Sequence, residues 1–250
     1  MSANTAPLRA LDLFCGAGGA TRGLQRAGFH VTGVDIKPQK NYCGDRFIQG
    51  DALNPPVDLR EFDFIWASPP CQAYSVASQS RRNAGHDYPD LLAPTRAMLE
   101  AAGVPWVIEN VPGAPMRGDL SICGCQVGLE LRRKRWFETS WKHFSLAHPC
   151  HHMGPVVSVV GLGTPTWVRQ KLGFNPTIKH YRDAMGIDWM NRDELSLAIP
   201  PAYSEFVARA FLAQQKEGAR NNPRPEINSM SQSNNINPPG STTNQANPRR

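Results

Sequence analysis

At 250 residues, 40% apolar and 19% charged, the chain can bury a real core, and one domain with an appendage is the natural expectation. Six cysteines lie without a framework spacing, the opening MSANTAPLRA lacks the apolar run of a signal peptide, and no stretch nears bilayer-spanning length; the composition therefore argues for a reduced, cytoplasmic protein and against a disulfide-stapled or membrane-embedded one. The formal net charge is +6, but residues 216–250 hold five Lys/Arg and two Asp/Glu, leaving +3 for the remainder, a balance that hints at a polyanionic partner without proving one.

In chain order, RALDLF runs into a glycine cluster and the helix-like GATRGLQRAG. HVTGVDI ends at an acid, RFIQGD at another, and FDFIWA meets two prolines. PDLLAPTRAMLEAAG reads as a helix, and VPWVIENV ends at Glu109 and Asn110. Short β-rich runs separated by amphipathic segments predict βαβ units and a mostly parallel sheet. Polar and reactive residues gather at the C-terminal strand ends, the edge where open α/β sheets bind ligands.

In DLFCGAGGATRG, Gly16, Gly18 and Gly19 follow a strand and precede a helix, so the backbone can turn tightly and approach a ligand. Asp35 ends the next strand, where a carboxylate can accept from ribose hydroxyls, and Asp51 closes the third. A dinucleotide fingerprint would place glycine where Thr21 stands, which leaves a smaller nucleoside-containing cofactor. The stretch SPPCQAYS (68–75) presents Cys71 behind two prolines that fix φ and remove two donors, so the chain must turn there. That thiol is either a packing residue or a nucleophile, and a nucleophile needs exposure and a stabilised thiolate. Glu109 ends the following strand, and the basic run RRKRW (132–136) supplies cations for the same edge.

With these motifs in this order, together with GDAL (50–53), RRKRWFET (132–139) and AIPPAYSEF (198–206), the chain resembles the cytosine-5 DNA methyltransferases across almost all of residues 9–212. The resemblance implies a doubly wound, Rossmann-like, seven-stranded α/β fold with S-adenosylmethionine as cofactor. It assigns Cys71 as the nucleophile at cytosine carbon 6, Glu109 as the residue holding the base, and Arg133 and Arg135 as arginines facing a flipped base. It also implies Phe14 stacking on adenine, with Gly16, Gly18, Gly19, Asp35, Ile36, Asp51, Ala52 and Pro70 around the cofactor, and Gln72 and Ser75 toward nucleic acid. A cysteine after the two prolines favours carbon over nitrogen as the methyl acceptor. Two rival readings stay open: the same chemistry on transfer RNA, and a non-catalytic DNA-binding relative. The expected setting is a monomer in the cytoplasm of a bacterial or phage-infected cell, serving host regulation or shielding a mobile or viral genome.

Between Glu138 and Asp183 there is no acid, while Arg169, Lys171, Lys179 and Arg182 fall inside with Trp167, Phe174, Tyr181 and five of the seven histidines. Such a segment suits a DNA-facing surface. The expected division is 1–139 cofactor-binding and catalytic, 140–185 a small target-recognition region, 186–215 helices returning to the catalytic domain, and 216–250 a disordered Asn- and Pro-rich tail. VVGLGTP (159–165) is read as a strand and glycine turn. Two departures from the family stand out: Leu131, where relatives carry glutamine, and Leu197, where many carry asparagine. CGC (123–125) and HPCHH (148–152) offer Cys123, Cys125, Cys150 and His152 as a zinc set, but Cys-x-Cys is not the usual finger spacing. Packing cysteines and phosphate-facing histidines are the preferred reading, and no metal is assigned.

Overall fold

The structure is a computed structural model and describes residues 6–141, 148–159 and 164–221. Five parallel strands come first: β1 (Arg9–Leu13), β2 (His30–Asp35), β3 (Arg46–Gln49), β4 (Phe64–Ala67) and β5 (Trp106–Asn110). Two further strands, β6 (Leu120–Ile122) and β7 (Arg135–Thr139), join antiparallel, giving the seven-stranded order β3-β2-β1-β4-β5-β7-β6. The mixed α/β architecture agrees with the Rossmann-like expectation. The antiparallel pair was not legible as strands, because β6 is three residues long and β7 opens with the basic run.

Alternation along the central strands feeds two cores. Ala10, Phe64, Trp66 and Val107 pack on one face with Leu24 of α1 (Gly19–Arg26) and Tyr203, Val207 and Phe211 of α7 (Pro201–Asn221). Leu11, Leu13, Ile65, Ala67 and Ile108 pack on the other with Leu99 of α3 (Leu92–Ala102). Helices α1 and α7 approach so closely that a Cβ on Gly23 would sit 2.1 Å from both Pro201 O and Ser204 Oγ. Ser204 Oγ donates to Ala20 O at 2.8 Å across the same contact.

The expected boundaries shift at two places. Leu131, Val159, Tyr181, Met185, Met190 and Leu195 form one cluster, so a division at 185 would cut through a shared core joining α5 (Ile178–Met185) to α6 (Arg192–Leu197). Helix α7 runs to Asn221, past the tail boundary expected at 216, because Gln214, Gln215, Lys216 and Glu217 are all good helix formers. Residues 222–250 lie outside the described residues, as do 160–163 of VVGLGTP; the described part preceding them, through Val159, is not a strand. Among the described residues no helix is long and apolar enough to cross a membrane.

Candidate active site

Strand order reverses between β1 and β4, since β2 and β3 lie to one side and β5 and β7 to the other. The loops leaving β1 and β4 therefore part, opening the crevice where such sheets take ligands. The glycine loop occupies one side of it and Cys71 the other.

On the β1 side, Phe14 holds φ +60°, the only described non-glycine residue with positive φ, followed by Gly16 at +50° and Gly18 at +87°. A β-carbon on Gly16 would meet nothing within 4 Å, so the loop opens toward free space. Gly19 is constrained differently: its Cβ would lie 2.3 Å from Ile199 O. Asp35 Oδ2 accepts from Gly16 N at 3.0 Å and its Oδ1 from Lys37 N at 2.9 Å, so this carboxylate shapes the loop from the end of β2. Beside it Ile36 is 67% exposed, an apolar side chain left uncovered at the crevice. Asp51 Oδ1 accepts from Leu53 N at 2.9 Å, next to buried Ala52.

Thr21, where a dinucleotide fingerprint has glycine, is fully buried and donates to Asp12 Oδ2 at 2.5 Å. Asp12 is itself buried, and burial pushes its carboxyl up to about 7 against the Thr21 hydrogen bond. Sequence reading passed over Asp12; the only signal was an acid inside an otherwise apolar strand.

On the β4 side, Pro69 is buried and its carbonyl accepts from Asn110 Nδ2 at 3.0 Å, while Pro70 is exposed. Asn110 Oδ1 takes Val111 N at 2.9 Å, so this buried amide ties the end of β5 to the turn carrying Cys71. Tyr74 N and Ser75 N both return to Cys71 O, at 3.0 and 2.8 Å. Arg82 of α2 (Gln79–Asn83) donates through Nη1 to Gln72 O and Ser75 O at 2.6 and 2.8 Å. Asn110 and Arg82 therefore position the loop, a role invisible before the fold is known.

Glu109 pairs with Phe137 across the β5–β7 ladder, and Arg135, two residues before Phe137, shares that face. Arg135 Nε lies 2.9 Å from Glu109 Oε1. Ser68 also hydrogen-bonds to the carboxyl. Burial raises the Glu109 carboxyl above its ordinary value, with Arg135, Ser68 and Arg133 pulling the other way. Cys71 is half-buried within the same field. Burial raises its thiol, Arg135 lowers it, and Glu109 raises it again. The expectation of a ready-stabilised thiolate is thus not met at rest: desolvation outweighs the two arginines.

A family model described as C-5 cytosine-specific DNA methylase matches residues 8–116, the span carrying the glycine loop, Cys71 and Glu109. Over that span, less than half of the chain, the sequence is similar to this family. Type II methyltransferase M1.HphI of Haemophilus parahaemolyticus is 33% identical over 91 residues, 31% of this chain and 24% of that protein. Type II methyltransferase M.XorII of Xanthomonas oryzae pv. oryzae is 30% identical over 125 residues, 41% of this chain and 28% of that protein. The chain thus spans about a quarter of the length of these curated relatives. Among solved structures, a candidate DNA modification methyltransferase encoded within an E. coli prophage superposes with a TM-score of 0.57 at 14% identity, covering 84% of this chain and 99% of that one. At that identity the likeness speaks for the fold alone.

Outside the matched span lies Arg133, expected to face a base. It is buried, and its Nη1 and Nη2 donate to Val159 O at 2.6 Å and Ser196 O at 2.8 Å. Burial, then neighbouring Arg135, bring its guanidinium down to about 9. Leu131 is explained by the cluster it fills, being only 2% exposed. Leu197 is 72% exposed. Of the expected nucleic-acid contacts, Arg169 and Lys171 share α4 (Thr166–Leu172) with Trp167, which is 61% exposed and carries Lys171 Nζ 5.5 Å above its ring. Lys179 is paired with Asp183 at 2.7 Å. Arg182 Nε donates to Met190 O at 3.0 Å, so it anchors the following turn.

Proposed function

We propose that the chain is a DNA (cytosine-5)-methyltransferase using S-adenosylmethionine and a transient bond between Cys71 and cytosine carbon 6. The carrying observation is the meeting of Cys71, Glu109 and Arg135 at the ends of β4, β5 and β7, across the crevice from the glycine loop. The open cradle at Gly16, the exposed Ile36 and the Asp35 carboxylate fit a nucleoside cofactor, with Phe14, Gly18, Gly19, Asp51, Ala52 and Pro70 completing its surroundings. When bound, S-adenosylmethionine supplies an electrophilic methyl group.

Cys71, as thiolate, adds to carbon 6; the new S–C bond pushes ring electrons onto carbon 5, which alone is too weak a nucleophile. Glu109, whose hold on a proton burial strengthens, donates in its protonated form to ring nitrogen 3 and accepts from the exocyclic amine. Arg135 holds the carboxyl in place at 2.9 Å and lowers the Cys71 thiol. Once carbon 5 has taken the methyl group, loss of its proton to water expels the Cys71 thiolate. The base must leave the duplex stack to reach this crevice, and α4, with Trp167, Arg169 and Lys171, offers a basic and aromatic grip on the strand.

The test is transfer of a labelled methyl group from S-adenosylmethionine to duplex DNA and, separately, to transfer RNA. Label on DNA cytosine carbon 5, absent with Cys71→Ala, is expected. Label on RNA alone would overturn the substrate assignment, and label on neither would favour a binding module.

A further inference from the structure

Four side chains that the proposed chemistry does not use converge at the far edge of the sheet. Cys123 and Cys125 stand on the short turn that follows β6, and Cys150 and His152 on the segment after Trp141. Their ligand atoms all lie within 4.8 Å of one another. Cys125 Sγ is 3.3 Å from Cys150 Sγ, and His152 Nε2 is 2.9 Å from Cys150 Sγ, 3.5 Å from Cys123 Sγ and 3.8 Å from Cys125 Sγ. A tetrahedral zinc ion, with Zn–S near 2.3 Å and Zn–N near 2.0 Å, needs edges of about 3.8 Å between sulfurs and about 3.6 Å from sulfur to nitrogen. The three sulfur-to-nitrogen distances bracket the second value, and the 3.3 Å between Cys125 and Cys150 lies somewhat inside the first. From this geometry we propose a structural zinc site formed by Cys123, Cys125, Cys150 and His152.

This proposal departs from the sequence reading, in which the four were packing and phosphate-facing residues. The spacing looked wrong because the pairs are Cys-x-Cys and Cys-x-His, and nothing in the sequence shows that the turn after β6 meets a segment about 25 residues later. All six cysteines are free. A Cys125–Cys150 disulfide would leave the approach of Cys123 and His152 unexplained, and 3.3 Å is far beyond a bonded S–S distance of about 2.05 Å. Soft sulfur and imidazole donors select zinc over calcium or magnesium. Four protein ligands close the coordination sphere, which marks the ion as structural. On binding, each of the three thiols releases a proton to solvent and His152 coordinates as neutral imidazole, leaving a complex of net charge −1.

The surroundings are consistent with a clip. Gln126 Oε1 accepts from Cys123 N at 2.8 Å, and Gln126 Nε2 donates to His148 O. Arg132 Nη2 holds Gly154 O at 2.9 Å and Arg133 Nη1 holds Val159 O at 2.6 Å. The ion would thus fasten residues 148–159 to the strand pair bearing Arg135, beside the crevice but independent of its chemistry.

The test uses the full chain purified without metal-chelating affinity resin. Elemental analysis after dialysis against a weak chelator is expected to retain one zinc per chain, and cobalt exchange to give the visible absorption of tetrahedral thiolate-bound cobalt. Cys125→Ser with Cys150→Ser is expected to lose the metal; Cys71→Ser, outside the ligand set, is expected to keep it. His152→Cys, which preserves four soft ligands, is expected to bind zinc. Metal removed entirely by the weak chelator, an octahedral cobalt spectrum, or a Cys125–Cys150 disulfide in freshly isolated wild-type protein would overturn the proposal whatever the outcome of the methyl-transfer assay.

Discussion

Glu109 and Cys71 face opposite demands: the acid must keep its proton while the thiol gives one up. Burial raises both, and between the carboxyl's pKa and the thiol's the reactive combination, protonated carboxyl beside thiolate, is a minor form. Across that interval the thiolate fraction grows with pH as fast as the protonated carboxyl declines, and their product stays level. Wild-type kcat/KM is therefore expected to be flat across that interval. Glu109→Gln has no acid to lose, so its kcat/KM should climb with pH until the thiol has ionised. It should also lie about 10²- to 10³-fold lower, as for removal of one proton donor or charge stabiliser. A flat variant profile at wild-type level would remove Glu109 from the chemistry. Cys71, Glu109 and Arg135 could be picked out in the sequence because each sits in a short motif beside an apolar run: Cys71 behind two prolines, Glu109 near the end of β5 and Arg135 at the start of β7. The buried bonds of Arg133 to Val159 O and Ser196 O were not readable, since they depend on chain segments far away in sequence.

At the level of elements, β7 is held in the sheet by the buried Glu138. Arg96 of α3 approaches it in bidentate fashion, Nε to Oε1 at 2.7 Å and Nη2 to Oε2 at 2.8 Å, and Arg117 N adds 3.0 Å. Burial alone would raise this carboxyl, but the hydrogen bonds from Arg96 and Arg117 outweigh it and hold it below its ordinary value. A depressed carboxylate contributes stability that is complete above the ordinary carboxylate range and is lost as pH falls through the folded-state pKa. Arg96→Met, by leaving the buried charge underpaired, is expected to cost about 3 kcal/mol at neutral pH. That cost should shrink in acid, where Glu138 is protonated in both proteins. Denaturant unfolding at several pH values checks this, and a gap that widens in acid would contradict it. Nothing at positions 96 and 138 signals the pair in advance, because α3 and β7 meet only through the sheet order. The parallel strands, by contrast, were legible from apolar runs that end in Asp35, Asp51 or Glu109.

For the whole molecule, the order β3-β2-β1-β4-β5-β7-β6 brings two distant loops to one crevice. The first five strands follow from hydrophobic runs and turn residues. The antiparallel β6 and β7, the core shared across residue 185, and the meeting of Cys123 with His152 depend on long-range packing that periodicity does not encode. The account rests on a sulfur reaching a pyrimidine, and incubation with S-adenosylmethionine and duplex DNA containing 5-fluorocytosine tests it most directly, because fluorine at carbon 5 cannot leave as a proton would. The predicted result is a covalent protein–DNA species that maps by peptide mass to Cys71 and is abolished in Cys71→Ala. Turnover without such a species, or an adduct at another residue, would contradict it.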